Sequence, residues 1–522
     1  MYFSWKLSGA AAGLALVLWS CFPNQRITPI DPSAIPIAQI VGAPIKVHMR
    51  DGSVILFQNG FTRQPNDIIT GIGTRYSLTR SHAHGSNWTF PIDSVLGLEY
   101  YDEYVPGGRV AGSLMLAASV GPGLLAVFGS CPTVYTSDGT TQHLEAECFS
   151  RSIGSRYERS DLDRLEQRPP ESGRFTVRVK NEALETHYID RFRLGYVDHP
   201  VGTNVFPDED GEILSIRSPR PIIAARDRRG ADLSTAIRYQ DNISHAVDTA
   251  SIRRMMQSGE RDWLDLTLAV PRDAESITLA LRGRNTLEST ILLYEVMMRD
   301  QGLAVLEWSE TLNSSLWYAW KLSRWYNGNS GIDVSVEHDG EFEDVARITD
   351  AGPIAWKPAA VRVPLGDHGD TVRIRLAMQP DSWSIDWVGF DLSTEEPLEL
   401  KELAPSSILD HEGKSRAGMI ASIDEDDGDY LVTYPGEWLD LSFDLPVKAG
   451  MQRTLFVLSK GYYVEWVRPE WVRARPDLRG FDPSEPEAIR RRLADLWIAR
   501  KESFEKDFIE HRIPTAEPER AW

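Results

Sequence analysis

Two phrases set a basic residue and a glycine at the end of a strand-like run: Arg282-Gly-Arg284 after Thr278-Leu-Ala-Leu281, and Lys460-Gly-Tyr-Tyr463 after Thr454-Leu-Phe-Val457. A cation beside aromatic faces is equipment for holding a sugar or a peptide: rings stack on the π surface while the cation takes a polar group. On that chemistry Arg282, Arg284, Lys460, Tyr462, Tyr463 and Trp466 form the candidate ligand-binding set. The same residue types also fill hydrophobic cores, so a stacking surface and core packing both stay open.

Asp424-Glu-Asp-Asp-Gly-Asp429 has enough oxygen ligands for Ca2+, with Asp424, Asp426, Asp427 and Asp429 as candidate ligands. The glycine comes one place early for a helix–loop–helix calcium loop and the bidentate Glu is missing. A solvated acidic turn before Tyr430-Leu-Val-Thr433 is the competing reading. His82 and His84 have the spacing of metal ligands along a strand, yet lack third and fourth ligands nearby. No catalytic residue is assigned, because no nucleophile elbow, phosphate-cradling loop or His-x-x-x-His with Glu is present. With 76 Asp plus Glu, a pair of hydrolytic carboxylates stays open without any pair standing out. No cofactor is expected beyond the candidate Ca2+.

These residues sit on a chain that repeats itself. Thr176-Val-Arg-Val179 recurs as Thr371-Val-Arg-Ile374, and Ile189-Asp-Arg-Phe192 as Ile385-Asp-Trp-Val388. Asp262-Trp-Leu-Asp-Leu-Thr267 recurs as Glu437-Trp-Leu-Asp-Leu-Ser442, and Thr278-Leu-Ala-Leu281 as Thr454-Leu-Phe-Val457. Four strand-like phrases in the same order point to a duplicated unit, and alternation with turn dipeptides such as Asp210-Gly211 and Asp339-Gly340 predicts antiparallel sandwiches. Two related β-sandwich units are expected over 131–300 and 330–475. The runs 332–337, 361–365, 371–376 and 383–387 resemble galactose-binding-like jelly rolls. Helices are predicted at 288–298 and 304–326, framing a helical connector over 301–329, with the Trp317 and Trp320 stretch in the core. A last helix follows the cap-like Ser484-Glu-Pro-Glu487, within 484–512.

Residues 45–104 read as short strands, and Phe90-Pro-Ile-Asp-Ser-Val95 is similar to the last strand of small SH3-like or Sm-like barrels. The expected fold class is therefore mainly β: that small module, a hydrophobic helical segment at 108–130, then two jelly-roll-like sandwiches with accessory helices. The run 110–128 is uncharged and long enough to span a bilayer, but Gly121-Pro122-Gly123 interrupts it, which suits a helical hairpin. A spanning segment with cytoplasmic sandwiches is the alternative topology.

The N-terminus gives the address. An apolar run from Leu14 to Trp19 is too short to span, and reads as the core of a signal peptide over 1–20. Leu18-Trp19-Ser20-Cys21 resembles the lipobox of bacterial lipoproteins, with Trp19 departing from the usual residue. The resemblance implies lipidation of Cys21, a bacterial cell-envelope protein and, with Phe22 rather than Asp next, an outer-membrane lipoprotein facing the periplasm. A plain cleaved secretory signal is the other reading. A Pro-rich tether is expected over 21–44. Of the three Cys, Cys131 and Cys148 then remain as an even pair for a disulfide, or as two buried thiols. The net charge of −20 excludes a general nucleic-acid partner. The expected partners are the membrane, through the lipid and residues 110–128, and an envelope protein or glycan. The expected role is binding or scaffolding, with a carbohydrate-active hydrolase carrying jelly-roll accessory units as the alternative.

Overall fold

The computed structural model describes residues 24–30, 39–40, 45–50, 53–76, 83–104, 131–137, 142–167, 173–241, 249–392, 398–415, 418–447, 450–467 and 481–510, with the single residues 170, 244 and 471. Cys21, His82, the signal segment and the apolar run 110–128 lie outside them. Among the described residues no helix is long and apolar enough to cross a membrane.

The chain is mainly β, and its sheets are antiparallel throughout. The small module is one eight-stranded sheet. Ile45–Met49, Val54–Phe57 and Ile68–Tyr76 form its middle, and Ile45, Val47, Ile55, Phe57 and Leu98 lie in its core. Part of the expected tether belongs to it: Asn24–Ile30 pairs with Val95–Tyr104, from Asn24 opposite Tyr104 to Ile30 opposite Leu98. An outer strand accepts Pro29 because one side of it needs no ladder donors.

Both sandwiches form, but not over the expected boundaries. The first packs Gly173–Lys180 and Trp438–Leu445 in one sheet against Glu185–His199 and Gln452–Glu465 in the other. The second packs Asp262–Ala269 and Thr371–Met378 against Ser276–Asn285 and Trp383–Asp391. The first is thus split in sequence, and the second is inserted between its halves. Each has its own core, the first around Val177, Ile189, Leu441 and Val457, the second around Leu266, Leu279, Ile374 and Val388.

The repeated phrases occupy equivalent places, with halves exchanged between the sequence copies. The Thr-Val-Arg strand of the first copy pairs with the Trp-Leu-Asp strand of the second, and the converse holds in the inserted sandwich. The reason is that the local signal is the same for either partner. Arg178 makes two hydrogen bonds to Asp440, at 2.7 and 2.8 Å, and lies 3.8 Å over the Trp438 ring. Arg375 does the same to Asp265, at 2.7 and 2.8 Å, and lies 4.3 Å over Trp263. The structural correspondence is therefore Arg178 with Arg375, two residues beyond the alignment of the phrases.

The helices add their buried residues to the core of the first sandwich. Glu288–Ile291 continues as a π-helical turn, Leu292–Met298, and the expected second helix is divided into Val305–Ser314 and Leu316–Asn327. Ser315 causes the break: its backbone is extended and its hydroxyl caps the new helix by accepting the N–H of Tyr318 at 3.2 Å. Trp317, expected in the core, is 69% exposed, with its ring stacked on Trp320. The last helix, Pro486–Glu510, buries Ile489, Leu493 and Trp497, and packs on Thr249–Ser258, a helix not anticipated from sequence.

Candidate functional site

The two Arg/Lys-Gly phrases mark β-bulges, not open loops. Lys460 faces Arg191 and Gly461 faces Ile189, leaving Asp190 as the extra residue. Arg282 faces Trp387 and Gly283 faces Ile385, leaving Asp386 as the extra residue. In each sandwich the basic residue pairs with the bulged carboxylate: Lys460 Nζ lies 3.0 Å from Asp190 Oδ2, and Arg282 pairs with Asp386. Arg282 also reaches Glu166 of the first sandwich at 2.6 Å, and Arg284 donates to the Pro353 carbonyl at 2.5 Å. These cations join strands and sandwiches.

The expected aromatic platform is core. Tyr462, Tyr463 and Trp466 are all buried. Tyr462 stacks on Tyr188 with ring centroids 4.6 Å apart. Trp466 meets Tyr76 of the small module edge-on at 5.0 Å, with Lys46 Nζ 4.6 Å over its ring. Aromatic types at strand positions are buried because the sheet faces carrying them are covered, by Leu431–Thr433 and by the module.

The acidic turn is satisfied by protein cations. Asp424 takes Arg193 at 2.5 Å and Asp426 takes Lys460. Asp427 accepts the Asp429 N–H at 2.9 Å, and Asp429 accepts the Ser422 hydroxyl at 3.1 Å. Among the described residues no three metal-ligating side chains converge. His84 lies on the exposed strand Ala83–Pro91.

The expected disulfide does not form; Cys131 and Cys148 are buried free thiols. Glu147 pairs with Thr133, and Cys148 donates its N–H to the Pro132 carbonyl at 3.0 Å. Cys131 therefore shares a face with Glu147, 3.5 Å from its carboxylate, while Cys148 points to the other. Burial pushes both thiols well up.

A cleft lies where the sandwiches meet, and sequence reading did not single it out. It holds about 350 Å³. One wall is the strand Arg159–Arg164 with Arg191, and the other is Lys357–Pro364 with the turn at 208–211. That turn closes the hairpin Asn204–Pro207 and Ile213–Ile216, wedged between both sandwiches. Lys357 bridges the walls, 2.8 Å from Asp161 and 2.7 Å from Asp163. Burial opposes the Asp161 carboxylate, yet Lys357 and Arg151 hold it below its usual range. Burial and the Asp161 charge push Asp163 up to about 7. Glu209 on the opposite wall is also pushed up to about 7 by burial, against the pull of Arg151 and Arg347. A charged side chain that meets its partners only across two sandwiches leaves no spacing signal in the chain.

No family model matches this chain, and no curated protein matches it. Solved structures of the Gx and Gt strains of infectious bursal disease virus align at 10% identity over 92% and 93% of this chain and 87% and 93% of theirs. Their TM-scores are 0.11, too low to carry an argument.

Proposed function

We propose that the chain is an exported, membrane-anchored bacterial lipoprotein of the cell envelope that binds a glycan or protein component without transforming it, using the cleft between its sandwiches. The observation that carries the binding reading is the cleft itself: about 350 Å³, formed by both sandwiches, with charged side chains on both walls. The anchor rests on Leu18-Trp19-Ser20-Cys21. The free thiols do not bear on topology, since residues on opposite faces of one strand pair stay unbridged in any compartment.

One test treats each half. Palmitate labelling that disappears in Cys21→Ala supports the anchor, and absence of label removes it. Capture of envelope glycan or protein that is lost when Ala359→Trp fills the cleft supports the binding site. A filled cleft with undiminished capture refutes it.

The hydrolase reading has one observation in its favour. Asp161 and Glu209 lie on opposite walls with proton affinities pushed apart, the division of labour that glycosidic hydrolysis uses. Release of reducing ends from envelope glycan, abolished in Glu209→Gln, would replace the binding reading.

A further inference from the structure

We propose that a second, more enclosed cavity takes a small zwitterion: a short amino acid whose ammonium meets Glu288 and Asn285 while its carboxylate meets Trp325 and Arg490. The cavity lies between the inserted sandwich, the helix Leu316–Asn327 and the last helix, and shares none of the residues that line the cleft. It stands apart from the binding reading given above. Four polar groups on its lining lack protein partners. The Trp325 indole N–H and the Arg490 Nε–H are buried donors without an acceptor, and Asn285 Oδ1 is a buried acceptor without a donor. Turning the Asn285 amide round would not cure this, because its Nδ2 already donates to Asp350 at 3.0 Å and to the Ser382 carbonyl at 3.3 Å. Glu288 is 7% exposed, and its carboxyl makes no hydrogen bond or ion pair among the described residues. The charges it feels are those of Asp350 and Asp381, both of its own sign.

Buried polar groups without partners are costly, and a ligand that satisfies them relieves that cost. Two unmet donors, one of them charged, call for a carboxylate, while a carboxyl beside an amide oxygen calls for an ammonium. Glu288 and Asp350 are the acids of the lining, and Arg490 is its cation. Asp350 is already engaged by the Gly331 N–H at 2.8 Å and by the Tyr326 hydroxyl. Asp381, close by, takes Lys501 at 2.7 Å and the Trp497 indole N–H at 2.8 Å. Size narrows the choice further. The cavity leaves about 40 Å³ open to the centres of water molecules, room for roughly three waters or about 90 Å³ of molecule. Glycine and alanine are of that size, and leucine is too large.

The fold fixes these groups in place. Thr286 ties the segment holding Asn285 and Glu288 to the turn at 379–382: its N–H donates to Ser382 O at 3.0 Å and its hydroxyl to Asp381 O at 2.6 Å. The Trp325 ring is set edge-on against Phe481, with centroids 5.4 Å apart. Arg490 lies against Gly259, where an added Cβ would come 3.2 Å from Nε.

The test is calorimetric titration and thermal shift of the full chain with glycine, alanine and leucine, and with ethanolamine and acetate as probes carrying one charged end each. We expect glycine or alanine to bind and raise Tm, leucine to be refused, and each one-ended probe to bind about tenfold or more weaker. Glu288→Gln and Arg490→Met should each weaken amino-acid binding about tenfold or more. Trp325→Phe, which removes only the N–H, should weaken it less, and Arg272→Ala, on an exposed pair with Asp370, should change nothing. Glu288 holds its proton up to about 8 in the unliganded chain, so the ammonium must displace it. Affinity should therefore rise from about pH 6 to about pH 8.5. That slope should vanish in Glu288→Gln, which keeps Asp350, Asp381, Tyr326 and Arg490 around the site. No uptake of glycine or alanine at about 10 mM, or full affinity in Glu288→Gln, overturns the proposal. Ethanolamine or acetate bound as tightly as the amino acids overturns it too.

Discussion

Glu288 shows how much a single side chain can report. It is buried at the start of the helical segment Glu288–Ile291, facing Asp350 and Asp381, and burial with those two charges pushes its carboxyl up to about 8. The folded protein therefore holds this proton more tightly than the unfolded chain does. Protons bound in excess by the native state make stability fall as pH rises, here between the unfolded value near 4.5 and about 8, with no further change above. At 1.36 kcal/mol for each tenfold change in proton affinity, the full effect is at most roughly 5 kcal/mol. Glu288→Gln should match the native protein near pH 4.5 and exceed it in stability at pH 9, measured by urea denaturation. A difference constant across that range would show that the carboxyl does not titrate as described.

At the scale of elements, the two bulges explain glycines that looked like part of a ligand loop. A Cβ on Gly461 would meet the Tyr188 carbonyl oxygen at 2.2 Å, so the bulge that frees Asp190 for Lys460 needs a bare backbone there. On Gly283 the nearest contact would be the Ser384 oxygen at 3.1 Å, a gentler approach. Gly461→Ala should cost about 2–3 kcal/mol and Gly283→Ala less than about 1 kcal/mol, read as shifts in denaturation midpoint. Equal costs would mean that the bulges yield more easily than their geometry implies. Turns behave more locally. In the hairpin of Ile332–His338 and Glu341–Ile348, Asp339 and Gly340 both have positive φ, at 51° and 87°, as Asp-Gly turns favour. That dipeptide was legible because its preference depends on two residues alone.

For the whole molecule, the decisive feature is the insertion of one sandwich between the halves of the other. The inserted unit owns a complete core and all four of its duplicated strands. A polypeptide of residues 203–392 should therefore fold and unfold cooperatively, seen as dispersed amide resonances and a single denaturation transition. A polypeptide of residues 131–300 should not, because its Gly173–Lys180 and Asp262–Ala269 strands would each lack their partner. Folding of the latter would revive the boundaries expected from sequence. The insertion also makes the cleft: with the sandwiches in tandem order, Lys357 would not be held between Asp161 and Asp163.

Strands, the duplication, the Asp-Gly turns and the C-terminal helix were all readable from residues such as Val177, Trp263, Gly340 and Leu493, because alternation and turn preference act over a few neighbours. The candidate ligand set was legible as chemistry and misplaced in space. Tyr463 and Trp466 look the same in a chain whether a sheet face is open or covered, and only packing covers it. Which Trp-Leu-Asp strand each Thr-Val-Arg strand takes was undecided locally, since both offer the same Asp and the same ring to an arginine. The tertiary structure made that choice, and with it brought Arg151, Arg159 and Glu209 to one cleft. Pairing between residues hundreds of positions apart is a balance of whole cores, and no short stretch of sequence contains both sides of it.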